Sequence, residues 1–215
     1  MHTTSTLKFA RAADTSAFSE FRIFIRAQFG IDLPENKETF VTSRMRKIVE
    51  GQGYSDFNAF MRAFLAHPNP EQLSLILDQI STNHTFFFRE PSHFMCLRQL
   101  VLPECRTIVD QDRLKQLRVW SAACSTGEEP YSIMMTLKDE LGPEYMRYSP
   151  QLLATDINSE VLDSARRGTF PKKNTVLVPA ELRTKYLTES GDRDVAHDYL
   201  KRDITFRRFN LMTPH

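Results

Sequence analysis

No charge of one sign dominates this 215-residue sequence: 28 basic side chains stand against 27 acidic ones. A chain that neutralises a nucleic-acid backbone needs a basic excess to release counterions, so nucleic acid is not an expected partner. Long apolar runs are missing as well. None approaches the ~20 residues that a membrane-spanning helix requires, so direct membrane insertion is not expected. No basic, then apolar, then small-residue pattern opens the chain, and no secretory signal is expected. Cysteine is scarce. Cys96, Cys105 and Cys124 are odd in number and lack paired metal-type spacing. They read as reduced thiols in a cytoplasmic protein, with no metal site expected. The length is ample for a real core in one or two domains, and the 26% of charged residues is ordinary for a soluble globular chain.

Residues 1–14 are polar and alanine-rich, and partial disorder is expected there. From there to about residue 80 the apolar spacing is helical four times over. Phe18, Phe21, Ile25 and Phe29 form one stripe, with Gly30 as a stop. Phe40, Val41, Met45 and Ile48 form a second, ended by Gly51. Phe57, Phe60, Met61, Phe64 and Leu65 form a third, behind Ser55 and Asp56 as caps. Asn69-Pro70 opens a fourth, with proline at the first helical position, carrying Leu73, Ile76, Leu77 and Ile80. Short connections predict a compact all-helical unit.

The texture then changes. Residues 118–123, Arg-Val-Trp-Ser-Ala-Ala, read as a buried strand, followed by the turn Cys124-Ser-Thr-Gly127 and a helix from Glu128 to near Gly142. Residues 151–155 read as a second strand ending in Asp156, and 159–166 as a second helix. Strand, helix, strand, helix predicts a parallel α/β sheet with right-handed crossovers. Residues 170–205 are polar, with Pro171, Pro179 and a Gly191-Asp192 turn, and read as a small inserted element. Ile204-Thr-Phe206 follows as a third strand.

In such sheets ligands bind at the carboxyl ends of the strands, so the 124–129 turn and Asp156 are expected to line one crevice. Gly127 lets backbone approach a ligand closely. Asp156 is placed to accept the two hydroxyls of a ribose. A nicotinamide dinucleotide is disfavoured, because residues 122–127 hold one glycine where that fingerprint wants three. Glu129 has a bland reading as a dipole-favoured residue beside Pro130. It also suits an ammonium-bearing nucleoside, and S-adenosylmethionine is such a ligand. In Asn83-His-Thr-Phe-Phe-Phe-Arg89-Glu90 the phenylalanines read as core. Arg89, amid that apolar bulk, reads as a desolvated guanidinium in need of a carboxylate partner. His84, His93 and Cys96 fit no common metal spacing. Cys124 has no evident base and reads as packing. Arg44, Arg46 and Lys47, near Lys37, form a basic patch that is either a solvated helix face or a dock for an acidic partner.

Taken together, Ser81-Thr-Asn-His-Thr-Phe-Phe-Phe-Arg-Glu90, Val119-Trp-Ser-Ala-Ala-Cys-Ser-Thr-Gly-Glu-Glu-Pro-Tyr-Ser132, Ala154-Thr-Asp-Ile-Asn158 with Val161-Leu162 and Ala165-Arg166, and Asn210-Leu211 resemble the CheR-type chemotaxis receptor methyltransferases. The resemblance runs from about residue 15 onward. It implies an N-terminal helical, receptor-facing domain over 1–78. Over 79–215 it implies a Rossmann-like S-adenosylmethionine-dependent methyltransferase domain, with 170–205 as an inserted β-subdomain. The implied activity is methyl transfer to receptor glutamates, leaving S-adenosylhomocysteine. By the same resemblance Asn83, Thr85, Arg89, Glu129, Asp156, Asn210 and Leu211 hold the cofactor, and Arg89 also stands beside the reacting methyl. Arg44, Arg46 and Lys47 resemble the face that meets the helical bundle of the receptor's cytoplasmic part. The 170–205 element resembles one that in some members grips a tethering peptide. Family members usually continue with a further strand carrying a Cys-Arg-Asn segment, a tyrosine and a hairpin. A sheet short at its C-terminal side is therefore expected. The competing expectation is an impaired or inactive enzyme that acts as a receptor- or nucleoside-binding module.

Overall fold

The structure, a computed structural model, describes residues 17–81, 83–112 and 116–213. The segment 1–14 lies outside the described residues. The described residues form two compact units: residues 17–80 with 211–213, and the described part of residues 81–210.

The first unit holds α1 (Ala17–Phe29), α2 (Glu38–Gly51), α3 (Phe57–Ala66) and α4 (Pro70–Ile80). Asp56 caps α3 by accepting the Ala59 amide at 2.9 Å, and Asn69 accepts the Glu71 amide at 2.8 Å at the start of α4. α1 packs on α3, and α2 packs on both α3 and α4. Phe21, Ile25, Val41, Met45, Phe60, Met61, Ile76 and Leu77 are fully buried between them. One stripe departs from the expected pattern. Phe40 does not join Val41 and Met45 in the core; Val49 does. Positions 41, 45 and 49 keep the i, i+4 spacing of one helix face, and Phe40 lies a third of a turn away. It is exposed, with the Arg44 guanidinium 4.1 Å from its ring centroid and the Lys37 ammonium 5.3 Å from it.

The second unit opens with α5 (Pro91–Cys96) and α6 (Leu102–Asp112), then β1 (Arg118–Ala122), α7 (Glu128–Leu141), α8 (Tyr145–Tyr148), β2 (Gln151–Asp156) and α9 (Ser159–Arg167). A smaller group follows: β3 (Thr169–Pro171), α10 (Lys172–Thr175), α11 (Ala180–Tyr186), β4 (Leu187–Ser190), β5 (Arg193–Ala196) and α12 (Asp198–Lys201). The last strand is β6 (Ile204–Arg208). The main sheet is parallel, in the order β1-β2-β6, with Val119 opposite Leu152 and Leu152 opposite Ile204. Leu152, Ala154, Ile204 and Phe206 are buried together with Tyr131, Met134 and Met135 of α7 and Leu162 and Ala165 of α9. The other face of the sheet leaves Trp120 and Leu153 exposed.

The second sheet is antiparallel, in the order β3-β5-β4. Its β4–β5 turn is the two-residue loop Gly191-Asp192, with Gly191 at φ +61°. Although the segment reads as polar, it has no core of its own. Phe170, Val178, Leu182, Tyr186, Leu187, Ala196 and Leu200 belong to the cluster that packs on the parallel sheet. Phe170 stands edge-on to both Phe87 and Tyr131, at centroid distances of 4.9 and 5.3 Å.

Candidate active site

The turn after β1 determines the site. Ala123, Ser125 and Gly127 all have positive φ, at 58°, 49° and 100°. Two of the three carry a Cβ, so the turn persists only because its surroundings over-determine it. The Cys124 amide donates to the Thr155 carbonyl at 2.8 Å, and the Ser125 amide donates to Asp156 Oδ2 at 2.8 Å. The Ser125 hydroxyl donates to the Asn83 carbonyl at 3.2 Å. Gly127 is required on two counts. Its φ disfavours any side chain, and a Cβ there would sit 2.9 Å from that of Ala165 on α9.

The segment before α5 forms the opposite wall. Phe87 is fully buried, and Phe88, at φ +53°, donates its amide to Ser132 Oγ on α7 at 3.1 Å. This anchorage delivers Arg89 to the cavity rim. The structure corrects the expected surroundings of that arginine. It is half exposed rather than desolvated, and its nearest carboxylate is the adjacent Glu90 at 4.0 Å. Its hydrogen bond goes to the His84 carbonyl at 2.8 Å, and its guanidinium lies 5.8 Å from the Phe86 ring centroid. The aromatic bulk that suggested desolvation divides differently: Phe87 turns into the core while Phe86 stays at the rim with Arg89.

Between these walls lies a cavity of about 450 Å³, lined by Thr85, Arg89, His93, Ser125, Glu129 and Ile133 among others. That volume falls within the ~300–1,000 Å³ usual for small-molecule sites. Glu129 is aimed by Ser121 of β1, whose hydroxyl donates to Oε1 at 2.7 Å. Asp156 is 7% exposed and lies beneath the turn, with Oδ1 accepting the Asn158 amide at 2.9 Å. Its own carbonyl accepts the Phe209 amide at 2.9 Å, which sets Asn210 at the same end of the sheet. Thus Thr85, Arg89 and Glu129 line one cavity. Asn83 meets its turn through a backbone carbonyl, and Asp156 supports that turn from below. Leu211 is exposed and clusters with the helical unit.

Cys124 is buried, and burial, reinforced by the Asp156 charge, pushes its thiol up to about 12. It stays protonated at neutral pH and is no nucleophile. Among the described residues no cluster of histidine, cysteine and acid side chains has the form of a metal site. Likewise no helix among them is long and apolar enough to cross a membrane. Sequence reasoning passed over Ser121 and weighed His93 only as a metal ligand. Ser121 sits inside an apolar strand, and no periodicity marks it as a partner of a residue eight positions on.

On α2, Arg44, Arg46 and Lys47 are exposed on the side away from Val41, Met45 and Val49. Arg44 donates to the Gln79 carbonyl at 3.0 Å, and Arg46 pairs with Glu50 at 3.3 Å.

A parallel sheet with a left-handed turn after its first strand, an acid ending its second and a cavity at their carboxyl ends defines a Rossmann-like domain that takes a nucleoside cofactor. Comparison with known proteins agrees. Residues 83–215 match the CheR methyltransferase SAM-binding domain, and residues 16–81 match the CheR methyltransferase all-alpha domain. The chain belongs to the CheR methyltransferase family, and S-adenosylmethionine is the cofactor for which this domain is built. It is 36% identical over 185 residues to a chemotaxis protein methyltransferase of Borreliella burgdorferi, covering 86% of this chain and 65% of that protein. It is 32% identical to the chemotaxis protein methyltransferase of Escherichia coli, covering 85% of this chain and 60% of that protein. With chemotaxis protein methyltransferase 1 of Pseudomonas aeruginosa the identity is 30%, covering 94% of this chain and 73% of that protein. The chain spans about two thirds of the length of the curated relatives it matches.

Proposed function

We propose that this chain carries the catalytic core of a cytoplasmic S-adenosylmethionine-dependent protein-glutamate O-methyltransferase that acts on chemotaxis receptors. One observation carries the reading: a carboxylate, Glu129, and a guanidinium, Arg89, face the same cavity at the carboxyl end of a parallel sheet. Glu129, oriented by Ser121, suits the cofactor's ammonium group. Asp156 suits its ribose, and Asn83, Thr85 and Asn210 are the further residues assigned to the pocket. The fit is chemical as well as spatial, since a carboxylate at this position repels pyrophosphate and attracts a cation.

When bound, S-adenosylmethionine would supply an electrophilic methyl group, whose bond to the sulfonium sulfur is exchanged for one to a carboxylate oxygen, leaving the neutral thioether S-adenosylhomocysteine and a methyl ester. A glutamate acceptor has an unperturbed pKa of about 4.3, so it is ionised at neutral pH and needs no general base. The protein's work is therefore positioning and water exclusion. Arg89 orients the incoming carboxylate with its planar fork while the His84 carbonyl holds one of its donors. Each methylation removes one negative charge from the receptor. The exposed Arg44, Arg46 and Lys47 of α2 supply a basic face for an acidic helical bundle.

Calorimetric titration with S-adenosylhomocysteine tests the pocket. Micromolar binding that is lost in Asp156→Ala and Glu129→Ala is the expected result. A folded chain that ignores the nucleoside would overturn the reading.

A further inference from the structure

Two adjacent carboxylates open α7, and they face different ways. Glu129 lines the cavity; Glu128 is 1% exposed and does not. Each oxygen of Glu128 has one side-chain donor. The Thr126 hydroxyl reaches Oε2 at 2.5 Å, and the Asn174 amide reaches Oε1 at 2.9 Å. Asn174 lies 46 residues further along the chain, on α10, among the elements of the small antiparallel sheet. Its backbone is fixed there. The neighbouring Thr175 is fully buried and donates its hydroxyl to Asp194 of β5, which also receives Arg183 at 3.2 Å.

The turn that forms the cavity wall contains two non-glycine residues with positive φ, and such a conformation must be held from outside. Three of its ties run to β2 and to the Asn83 segment: Cys124 to Thr155, Ser125 to Asp156, and Ser125 to Asn83. The tie at its far end runs through Thr126 to Glu128 and so to Asn174. A carboxylate this buried requires its donors, and removing one leaves an oxygen without compensation.

We propose that Asn174 is a positioning residue for the cofactor-binding turn, acting through Glu128 and Thr126, so that the small antiparallel subdomain sets cofactor affinity without touching the cofactor. The proposal rests on the reading of the cavity as the S-adenosylmethionine site. It predicts a loss of affinity from a side chain that is outside the cavity lining, and it predicts how to restore it. In the swap E128Q/N174D, the new glutamine amide donates where Oε1 accepted, and its carbonyl still accepts Thr126. The pair is rebuilt with donor and acceptor exchanged and net charge unchanged.

The test is titration of the whole chain with S-adenosylhomocysteine, using wild type, Asn174→Ala, Thr126→Val and the swap. Asn174→Ala and Thr126→Val should each bind about tenfold more weakly, the usual scale for losing one hydrogen bond to a buried charged group. The swap should return to within about threefold of wild type, a recovery that generic destabilisation by two substitutions cannot give. Amide exchange gives a readout independent of ligand: the Ser125 amide should exchange faster in Asn174→Ala while the amides of β2 are unchanged. If Asn174→Ala does not fold, Thr126→Val and the swap decide. Wild-type affinity in both single variants, or a folded swap no better than the single variants, overturns the proposal. A wild-type chain that does not bind the nucleoside overturns instead the reading of the cavity on which the proposal stands.

Discussion

Arg89 and Glu129 carry opposite charges on one cavity, and the hydrogen bond that fixes each runs to a neutral oxygen, with the adjacent Glu90 only at the 4.0 Å limit of an ion pair with Arg89. Arg89 donates to the His84 carbonyl, and Glu129 accepts from the Ser121 hydroxyl. A neutral partner fixes geometry while leaving the charge free for a ligand; an internal salt bridge would neutralise it. Two predictions belong at this scale. Arg89→Ala should lower methyl transfer to a receptor fragment by about a hundredfold, the range seen when one charge-stabilising donor is removed. Receptor affinity should be nearly unchanged, as read by a direct binding assay beside the radiolabel transfer. Unchanged turnover would remove Arg89 from the reaction. Ser121→Ala should weaken S-adenosylhomocysteine binding about tenfold without changing stoichiometry, because Glu129 loses the bond that aims it. A variant that binds like wild type would show that Glu129 is positioned by packing alone.

At the scale of elements, the β1–α7 turn is the strained piece, and α9 is the wall against which it is strained. Gly127→Ala combines a φ of +100° with a Cβ 2.9 Å from that of Ala165. The expected cost is about 2 kcal/mol or more, since neither the backbone conformation nor the packed α9 yields cheaply. Thermal melting checks the stability, and titration should show weakened nucleoside binding in the fraction that remains folded. A midpoint equal to wild type would mean that α9 moves aside. The Phe87 anchor makes a second case. It is fully buried against Phe170 and sits two residues before Arg89. Phe87→Ala should cost about 3–5 kcal/mol and, in addition, misplace Arg89. Its activity loss should therefore exceed what its unfolded fraction explains.

Across the methyltransferase unit, a buried charge cluster joins elements distant in sequence. Asp203, just before β6, takes Lys138 of α7 and Tyr145 of α8 on one oxygen, both at 2.6 Å. Burial raises the Asp203 carboxyl, but the bonds from Lys138 and Tyr145 outweigh it and leave the group below the usual carboxylate range. Burial lowers the Lys138 ammonium, and Asp203 offsets this only in part. The pair's stabilisation therefore sits on the carboxylate side. A carboxyl with a lowered native pKa contributes stability above its unfolded value of about 3.9, and this is lost as pH falls through the lower native value. Asp203→Asn leaves Lys138 buried without its counter-charge and should cost about 3 kcal/mol at neutral pH. The gap in melting temperature between variant and wild type should close as the pH drops below about 4. A gap that persists in acid would assign the effect to packing.

The amino-acid order alone decides what depends on near neighbours. The helical stripes, the Asp56 and Asn69 caps, the Gly191-Asp192 hairpin and the strand–turn–helix at 118–133 all rest on spacings of a few residues. The parallel sheet follows from their sequence, and Glu129, Asp156 and Arg89 stand out as candidates because their side chains are unusual for where they sit. Tertiary structure decides partnership. The spacing of Val41, Met45 and Val49 allows one stripe and that of Phe40 and Val41 another; the packing of α2 on α3 and α4 selects the first. Nothing near Arg89 shows that its partner is a carbonyl five residues back instead of an acid. The 170–205 segment reads as polar because its apolar residues are spread thinly, yet the parallel sheet's core gathers them. The Glu128–Asn174 and Ser81–Asn158 bonds join residues 46 and 77 positions apart. Periodicity encodes which face of an element is buried. It carries no record of what that face meets, because the meeting is settled only when layers pack and every buried polar group finds its partner.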